Sequence, residues 1–154
     1  MALRGWATFA WQADYGQFYL IDGDDSAFMA PTEITAEMER RGLFVPAAGI
    51  VIYTEGSLQQ HIRIAIHDRE PDHAPVEPMG GKPWTRIETA DVSFPSRKFV
   101  ISSPSMPHPL PAGPVFCLDA ATVTVRISWM EFQGSRDDSV PVEPDVIDLA
   151  FWVR

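Results

Sequence analysis

The sequence predicts an all-β fold with one short helix, built as a two-sheet antiparallel β-sandwich, with a β-barrel as the alternative. The first observation is the strict alternation of residues 121–130. One face of this segment carries Val123, Val125, Ile127 and Trp129, the pattern of a strand that packs one side against a core. The second is that similar short segments recur along the chain. Its 154 residues fit one domain, so we expect a single sandwich domain over 1–154.

The strand candidates follow from the same alternation, and residues 121–130 are the expected central strand of an antiparallel sheet. Two pairs of neighbouring segments predict hairpins: 4–11 with 15–22, and 48–54 with 60–67. The remaining strand candidates are residues 84–94, 97–102, 115–118 and 145–153. Several prolines fall in residues 68–83 and 103–114, and proline removes hydrogen-bond donors, so we predict irregular loops there.

One helix is predicted over residues 31–42. Thr32 is the expected N-cap, and Gly42 suits the position just past the last turn. Ile34 and Met38 form a narrow apolar stripe, which packing on a sheet would cover.

The formal net charge of −9 excludes several classes of partner. Binding to nucleic acid depends on Lys and Arg contacts to phosphate, and adsorption to a membrane surface depends on the same cations, so we expect neither. Attraction to a basic protein partner is favoured instead. The sequence shows no apolar run long enough for a signal peptide or a membrane span, and we expect a cytoplasmic protein.

No chemical signature predicts an enzyme, a metal site or a cofactor. Cys117 is the single cysteine; it lies in an apolar stretch and is expected to be a small buried core residue. His61 and His67 share a strand face but lie about 20 Å apart by strand rise, too far to bind one metal. The acidic turn after residue 21 has the ligand spacing of an EF-hand loop, but Ala27 replaces the required glycine. We therefore assign no catalytic residue and no metal ligand.

Two sets of residues are candidate binding sites. For a basic protein partner, the candidates are the acidic turn residues Asp22, Asp24, Asp25, Asp137 and Asp138. For a small ligand or carbohydrate, the alternative set is Trp84, His67 and Asp68, beside the loop 68–83. Trp84 is the tryptophan expected to be exposed. We expect Trp6, Trp129 and Trp152 to serve packing.

Four stretches, mainly in the first half of the chain, resemble one known family. They are Tyr15-Gly16-Gln17-Phe18, Arg41-Gly42 at the helix end, Ala47-Ala48-Gly49-Ile50, and the strand Ile62–Ile66. The order of these stretches along the chain and the distances between them are similar to those in the ComJ-type competence proteins. That family consists of small acidic inhibitors of a secreted or membrane-associated DNA nuclease. The resemblance implies a non-enzymatic protein that binds a nuclease. The exposed strand edges of a sandwich also permit a dimer.

Overall fold

A computed structural model describes residues 3–13, 15–24, 27–54, 59–72, 83–105, 114–131 and 144–154. These ranges contain ten strands and one helix. In chain order they are β1 (Leu3–Gln12), β2 (Gln17–Asp22), α1 (Ala36–Arg41), β3 (Leu43–Phe44), β4 (Gly49–Tyr53), β5 (Gln59–His67), β6 (Arg86–Ser93), β7 (Lys98–Ser102), β8 (Val115–Cys117), β9 (Thr122–Met130) and β10 (Asp145–Trp152). The predicted all-β class with one short helix is confirmed.

The strands form two five-stranded sheets, which confirms the sandwich over the barrel. The first sheet has the order β1-β5-β10-β9-β6, and the second has the order β3-β4-β2-β7-β8. One pair, β5 with β10, is parallel, so the first sheet is mixed and not purely antiparallel as predicted. These two strands are far apart in sequence, and no tight turn forces them to run in opposite directions.

Both predicted hairpins are wrong. β1 pairs with β5 and β2 pairs with β4 and β7, so the link between β1 and β2 carries the chain from one sheet to the other. β4 and β5 are likewise in different sheets. Alternation fixes which face of a strand is buried, but it does not fix which strand lies beside it.

The core lies between the sheets, and β9 supplies the residues that the sequence predicts. Val123, Val125, Ile127 and Trp129 are all buried there. Nε1 of Trp129 donates a hydrogen bond of 3.0 Å to the carbonyl oxygen of Tyr53, a contact that joins the two sheets. β9 is an interior strand, but the central position belongs to β10, in which every residue is buried.

The helix is shorter than predicted and begins later. Thr35 is the N-cap, not Thr32, and its Oγ1 accepts a hydrogen bond of 3.2 Å from the amide of Met38. Met38 is buried, whereas Ile34 is 51% exposed because it precedes the helix. Gly42 ends the helix with φ +71°, a conformation that suits glycine. No helix within the described ranges has the length and apolar character needed to cross a membrane.

Candidate partner-binding surface

The outer face of the first sheet carries an ion pair of which one member is buried. Arg63 on β5 and Asp148 on β10 lie opposite each other in register, and the distance from Nη1 to Oδ1 is 3.0 Å. The side chain of Asp148 is only 4% exposed, and that of Arg63 is 38% exposed. Burial raises the pKa of Asp148 above its usual value, and the neighbouring Arg63 opposes that rise. Arg63 is therefore the main group that favours the charged form of Asp148.

His67 lies at the end of β5 on this same face and is nearly buried. Burial lowers the pKa of His67, and the positive charge of Arg63 lowers it further, while Asp148 acts in the opposite direction. Its Nδ1 has no hydrogen-bond partner among the described residues. The imidazole is therefore held in its neutral form at neutral pH.

Residues 68–72, which we call the acidic segment, leave the end of β5 and cross towards β9. Asp68, Glu70 and Asp72 are exposed along it, whereas Pro71 is buried. Nη1 of Arg126 on β9 lies 3.4 Å from the carbonyl oxygen of Pro71 and donates to it. This anchor holds the segment against the sheet, with its carboxylates directed to solvent.

Most cations in the described ranges are already engaged by carboxylates or by aromatic rings. The ion pairs are Arg4–Asp119, Arg40–Glu37, Arg41–Glu88, Arg63–Asp148, Arg86–Glu131, Lys98–Asp24 and Arg154–Asp91. The guanidinium of Arg126 lies over Trp152 at 5.8 Å. Glu70 and Asp72 make no ion pair with any described residue. The acidic segment contains one cation, Arg69, against its three exposed carboxylates, so it keeps a formal charge of −2.

Asp22, the first residue of the acidic turn after β2, has a structural role and not the predicted role of contacting a partner. Asp22 is 2% exposed, and its carboxylate accepts hydrogen bonds from the amides of Asp24 at 2.9 Å and Ser96 at 2.8 Å. Asp22 therefore orders the loop and is not available to a partner. Asp24 is exposed and paired with Lys98 at 3.0 Å, so its contact with a partner stays a prediction.

The other three predicted partner residues are Asp25, Asp137 and Asp138. All three lie outside the described residues.

The alternative ligand site does not come together in the described structure. His67 and Asp68 lie at one end of the first sheet, whereas Trp84 precedes β6 at the other end. The register of the strands separates Trp84 from His67 by more than about 20 Å. Trp84 is half-buried, and the exposed tryptophan is Trp6, at 62%. The predicted packing role of Trp6 is therefore wrong.

Cys117 is exposed, which corrects the prediction of a buried core cysteine. It lies on β8, an edge strand that pairs with β7 alone among the described strands. Phe116 packs towards the core, so Val115 and Cys117 on either side of it alternate outwards. An apolar sequence on an edge strand does not guarantee burial.

Among the described residues of the outer face, Ser128 and His67 are too far apart to act as a nucleophile and its base. Ser128 is fully buried on β9, but the register places it about 16 Å from His67, well beyond hydrogen-bond reach. No group of three His, Cys, Asp or Glu side chains within the described ranges is positioned to hold a metal ion. The contacts on this face are those of a supporting polar layer beneath the acidic segment.

Comparisons with known proteins identify two solved structures of the same fold. The first is the crystal structure of ComJ, the inhibitor of the DNA degrading activity of NucA, from Bacillus subtilis; it has a TM-score of 0.73 at 11% identity, over 100% of both chains. The fold resembles that of ComJ over its whole length. The second is the Crocagin biosynthetic gene J protein, with a TM-score of 0.62 at 13% identity, over 100% of this chain and 99% of the other.

No protein-family model and no curated protein matches the sequence. The resemblance to ComJ suggested by the first half of the chain is thus confirmed by the fold, and the fold extends it to the second half. At such low identity, the likeness establishes the architecture alone.

Proposed function

We propose that this chain is a non-catalytic interaction protein that inhibits a basic DNA nuclease by covering the surface with which the nuclease binds phosphate. Two facts support the proposal. Its fold is similar to that of ComJ, which inhibits the DNA degrading activity of NucA. Its net charge of −9 is opposite in sign to the surface that a nuclease needs in order to attract DNA.

The observation that carries the proposal is the exposed negative charge of the acidic segment, in which three carboxylates outnumber the single cation Arg69. Glu70 and Asp72 are exposed, and no described cation pairs with them. A nuclease binds phosphates through Lys and Arg, and carboxylates accept hydrogen bonds from the same groups. Opposite charge also accelerates the encounter of the two proteins, by an amount that falls as the salt concentration rises.

The acidic segment is also ordered before a partner arrives. Pro71 is buried, and Arg126 donates to its carbonyl oxygen at 3.4 Å. A segment that is already fixed loses less conformational entropy on binding than a flexible one. The carboxylates of Glu70 and Asp72 are therefore presented at a defined spacing.

The test removes two charges from the acidic segment and compares them with two charges removed elsewhere. The double variant Glu70→Gln with Asp72→Asn removes two negative charges from the acidic segment. The control, Glu33→Gln with Glu39→Gln, removes two negative charges at exposed positions before and within α1. Each exposed ionic contact contributes about 0.5–1 kcal/mol, so the first double variant should weaken inhibition by about 5–30-fold. The control should stay within about twofold of wild type, because its sites lie outside the acidic segment.

The measurement is the degradation of DNA by a nuclease purified from the source cell on the immobilised chain at low salt. Inhibition is titrated with wild type and with each double variant. Equal losses in both variants would show that net charge alone matters and that the acidic segment is not the docking surface. An absence of any inhibited nuclease would overturn the proposed function itself.

A further inference from the structure

β1 is an edge strand whose protecting features are confined to its first residues. It pairs with β5 alone within the part of the chain that the structure describes, and most of its ten residues are exposed. Natural edge strands are commonly blocked by charged residues, prolines, β-bulges or a covering element. β1 has no proline and no lysine; its single charged residue, Arg4, and its one irregularity in register, between Leu3 and Gly5, both lie at its start, and the pairing with β5 is regular from Gly5 to Gln12. Among the described residues, no other strand pairs with its outer row of main-chain groups, which leaves that row to a further strand.

An apolar cleft of about 290 Å³ lies beside this edge, where β1 and β8 leave a gap between the two sheets. Its apolar lining comes from Gly5, Ala7, Ile64, Ile66, Val115 and Phe116. At Gly5, an added Cβ atom would meet nothing within 4 Å. The gap at Gly5 is large enough to receive a side chain from a neighbouring strand.

We propose that β1 pairs antiparallel with β1 of a second copy of this chain, which joins the two first sheets into one continuous ten-stranded sheet. A two-fold axis through Ala7 keeps the faces of the sheets aligned and sets Phe9 of each copy opposite Gly5 of the other. Phe9 and Gly5 lie on the same inner face, since the residues paired with both on β5 are isoleucines. An aromatic side chain opposite a glycine on an edge strand is a recognised stabilising pair, because it covers the bare backbone.

The sequence of β1 favours a second copy over a strand of another protein. The strand contains both the open space, at Gly5, and an aromatic ring to cover it, at Phe9, at positions that the two-fold axis exchanges. The Phe9 ring packs at the rim of its own core, 6.4 Å from the ring of Phe116, and so lies at the level of the cleft. The same axis sets Trp6 opposite Thr8 and keeps the Arg4 residues of the two copies at opposite ends of the pairing, so no two like charges face each other. The exposed apolar side chains beside this edge, Leu3, Trp6 and Val115, would become covered.

Salt separates this self-association from electrostatic binding to a basic partner. Two copies that each carry a charge of −9 repel one another, and salt screens the repulsion, whereas the apolar contact remains. We therefore expect the dimer to strengthen as salt is added. Binding to a basic nuclease would weaken under the same conditions.

The test is sedimentation equilibrium of the full chain from low-micromolar to millimolar concentration, at low and high salt. We expect the 17.2-kDa chain to approach twice its mass with rising concentration, and at lower concentration in high salt. The rate at which a thiol reagent modifies Cys117, which lines the cleft, should fall in parallel. A single mass of 17.2 kDa under every condition would overturn the proposal. It would do so even if β1 pairs with a strand of another protein, because the proposal is that a second copy of this chain is the partner.

Matched variants locate the interface. Trp6→Glu should weaken self-association by about tenfold or more, because it replaces an exposed apolar ring with a charge. The control, Ile87→Glu, makes the same kind of change on β6, which is the opposite edge of the same sheet. It should leave self-association unchanged. Gly5→Val should also dissociate the dimer without lowering the melting temperature, because its side chain fits the monomer but occupies the place of Phe9 from the partner. Dissociation by Ile87→Glu, or an unchanged dimer in Trp6→Glu and Gly5→Val, would show that β1 is not the interface.

Discussion

The ion pair on the outer face of the first sheet should respond very differently to the loss of its two members. Arg63→Met removes the cation and leaves Asp148 buried without its countercharge. Asp148→Asn removes the charge that is costly to bury and leaves Arg63, which is 38% exposed, in contact with water. The pKa of Asp148 is raised because burial outweighs the attraction of Arg63 for this carboxylate.

The size of the difference follows from the exposure of each partner. Breaking a fully buried ion pair costs about 3–5 kcal/mol, and because this pair is buried on one side only, we expect Arg63→Met to cost about 2–3 kcal/mol at pH 7. Asp148→Asn should cost less than about 1 kcal/mol, because an amide is cheaper to bury than a charge. Arg63→Met also raises the pKa of Asp148 further, so its cost should shrink on acidification, as the protonated carboxyl no longer needs a countercharge.

The assay is urea-induced unfolding of wild type, Arg63→Met and Asp148→Asn, each at pH 7 and pH 5. Each variant is compared with wild type at the same pH, so that titrating groups common to both chains cancel in the difference of unfolding free energy. Two results would refute the reasoning. One is a cost of Arg63→Met that does not change with pH, and the other is a cost of Asp148→Asn that equals or exceeds that of Arg63→Met.

Two further predictions concern stability. Burial lowers the pKa of His67 in the folded chain below 6.5, the ordinary value that the unfolded chain keeps. Between the folded and the unfolded pKa, the unfolded chain binds more protons than the folded one. The stability that the neutral imidazole contributes is therefore lost as the pH falls through that window. His67→Gln should therefore flatten the decrease in unfolding free energy below pH 6.5, and an unchanged pH profile would argue against a neutral, buried imidazole. Trp129→Phe should lower the unfolding free energy by about 2–4 kcal/mol, because it leaves the carbonyl of Tyr53 without its donor and opens a cavity between the sheets. A loss below about 1 kcal/mol in urea unfolding would mean that this contact contributes little.

The strands were predictable because period-two alternation directly reports which side chains meet the core. In β9, the four apolar residues from Val123 to Trp129 are buried as the pattern requires. The order of strands was not predictable from the same pattern. β1 and β2 are adjacent in sequence and similar in composition, yet they belong to different sheets, because alternation specifies a face and says nothing of the neighbour across it.

The site was less predictable, because exposure depends on the position of a strand in its sheet. Asp22 belongs to the most acidic turn of the sequence, but two backbone amides capture its carboxylate. Trp6 resembles a core residue by type and becomes exposed because β1 lies at an edge. The acidic segment lies within a loop predicted only as irregular. The sequence shows Pro71 between two acids, but the burial of Pro71 and its contact with Arg126 needed the structure.

The central claim is that this β-sandwich acts by binding and has no reaction of its own. The most direct measurement is a titration of the DNA-degrading activity of the captured nuclease with the wild-type chain, at low and high salt. The account predicts that activity falls to its minimum at a fixed ratio of chain to nuclease, and that added salt restores it. Undiminished degradation of DNA in an excess of the chain at low salt would contradict the account.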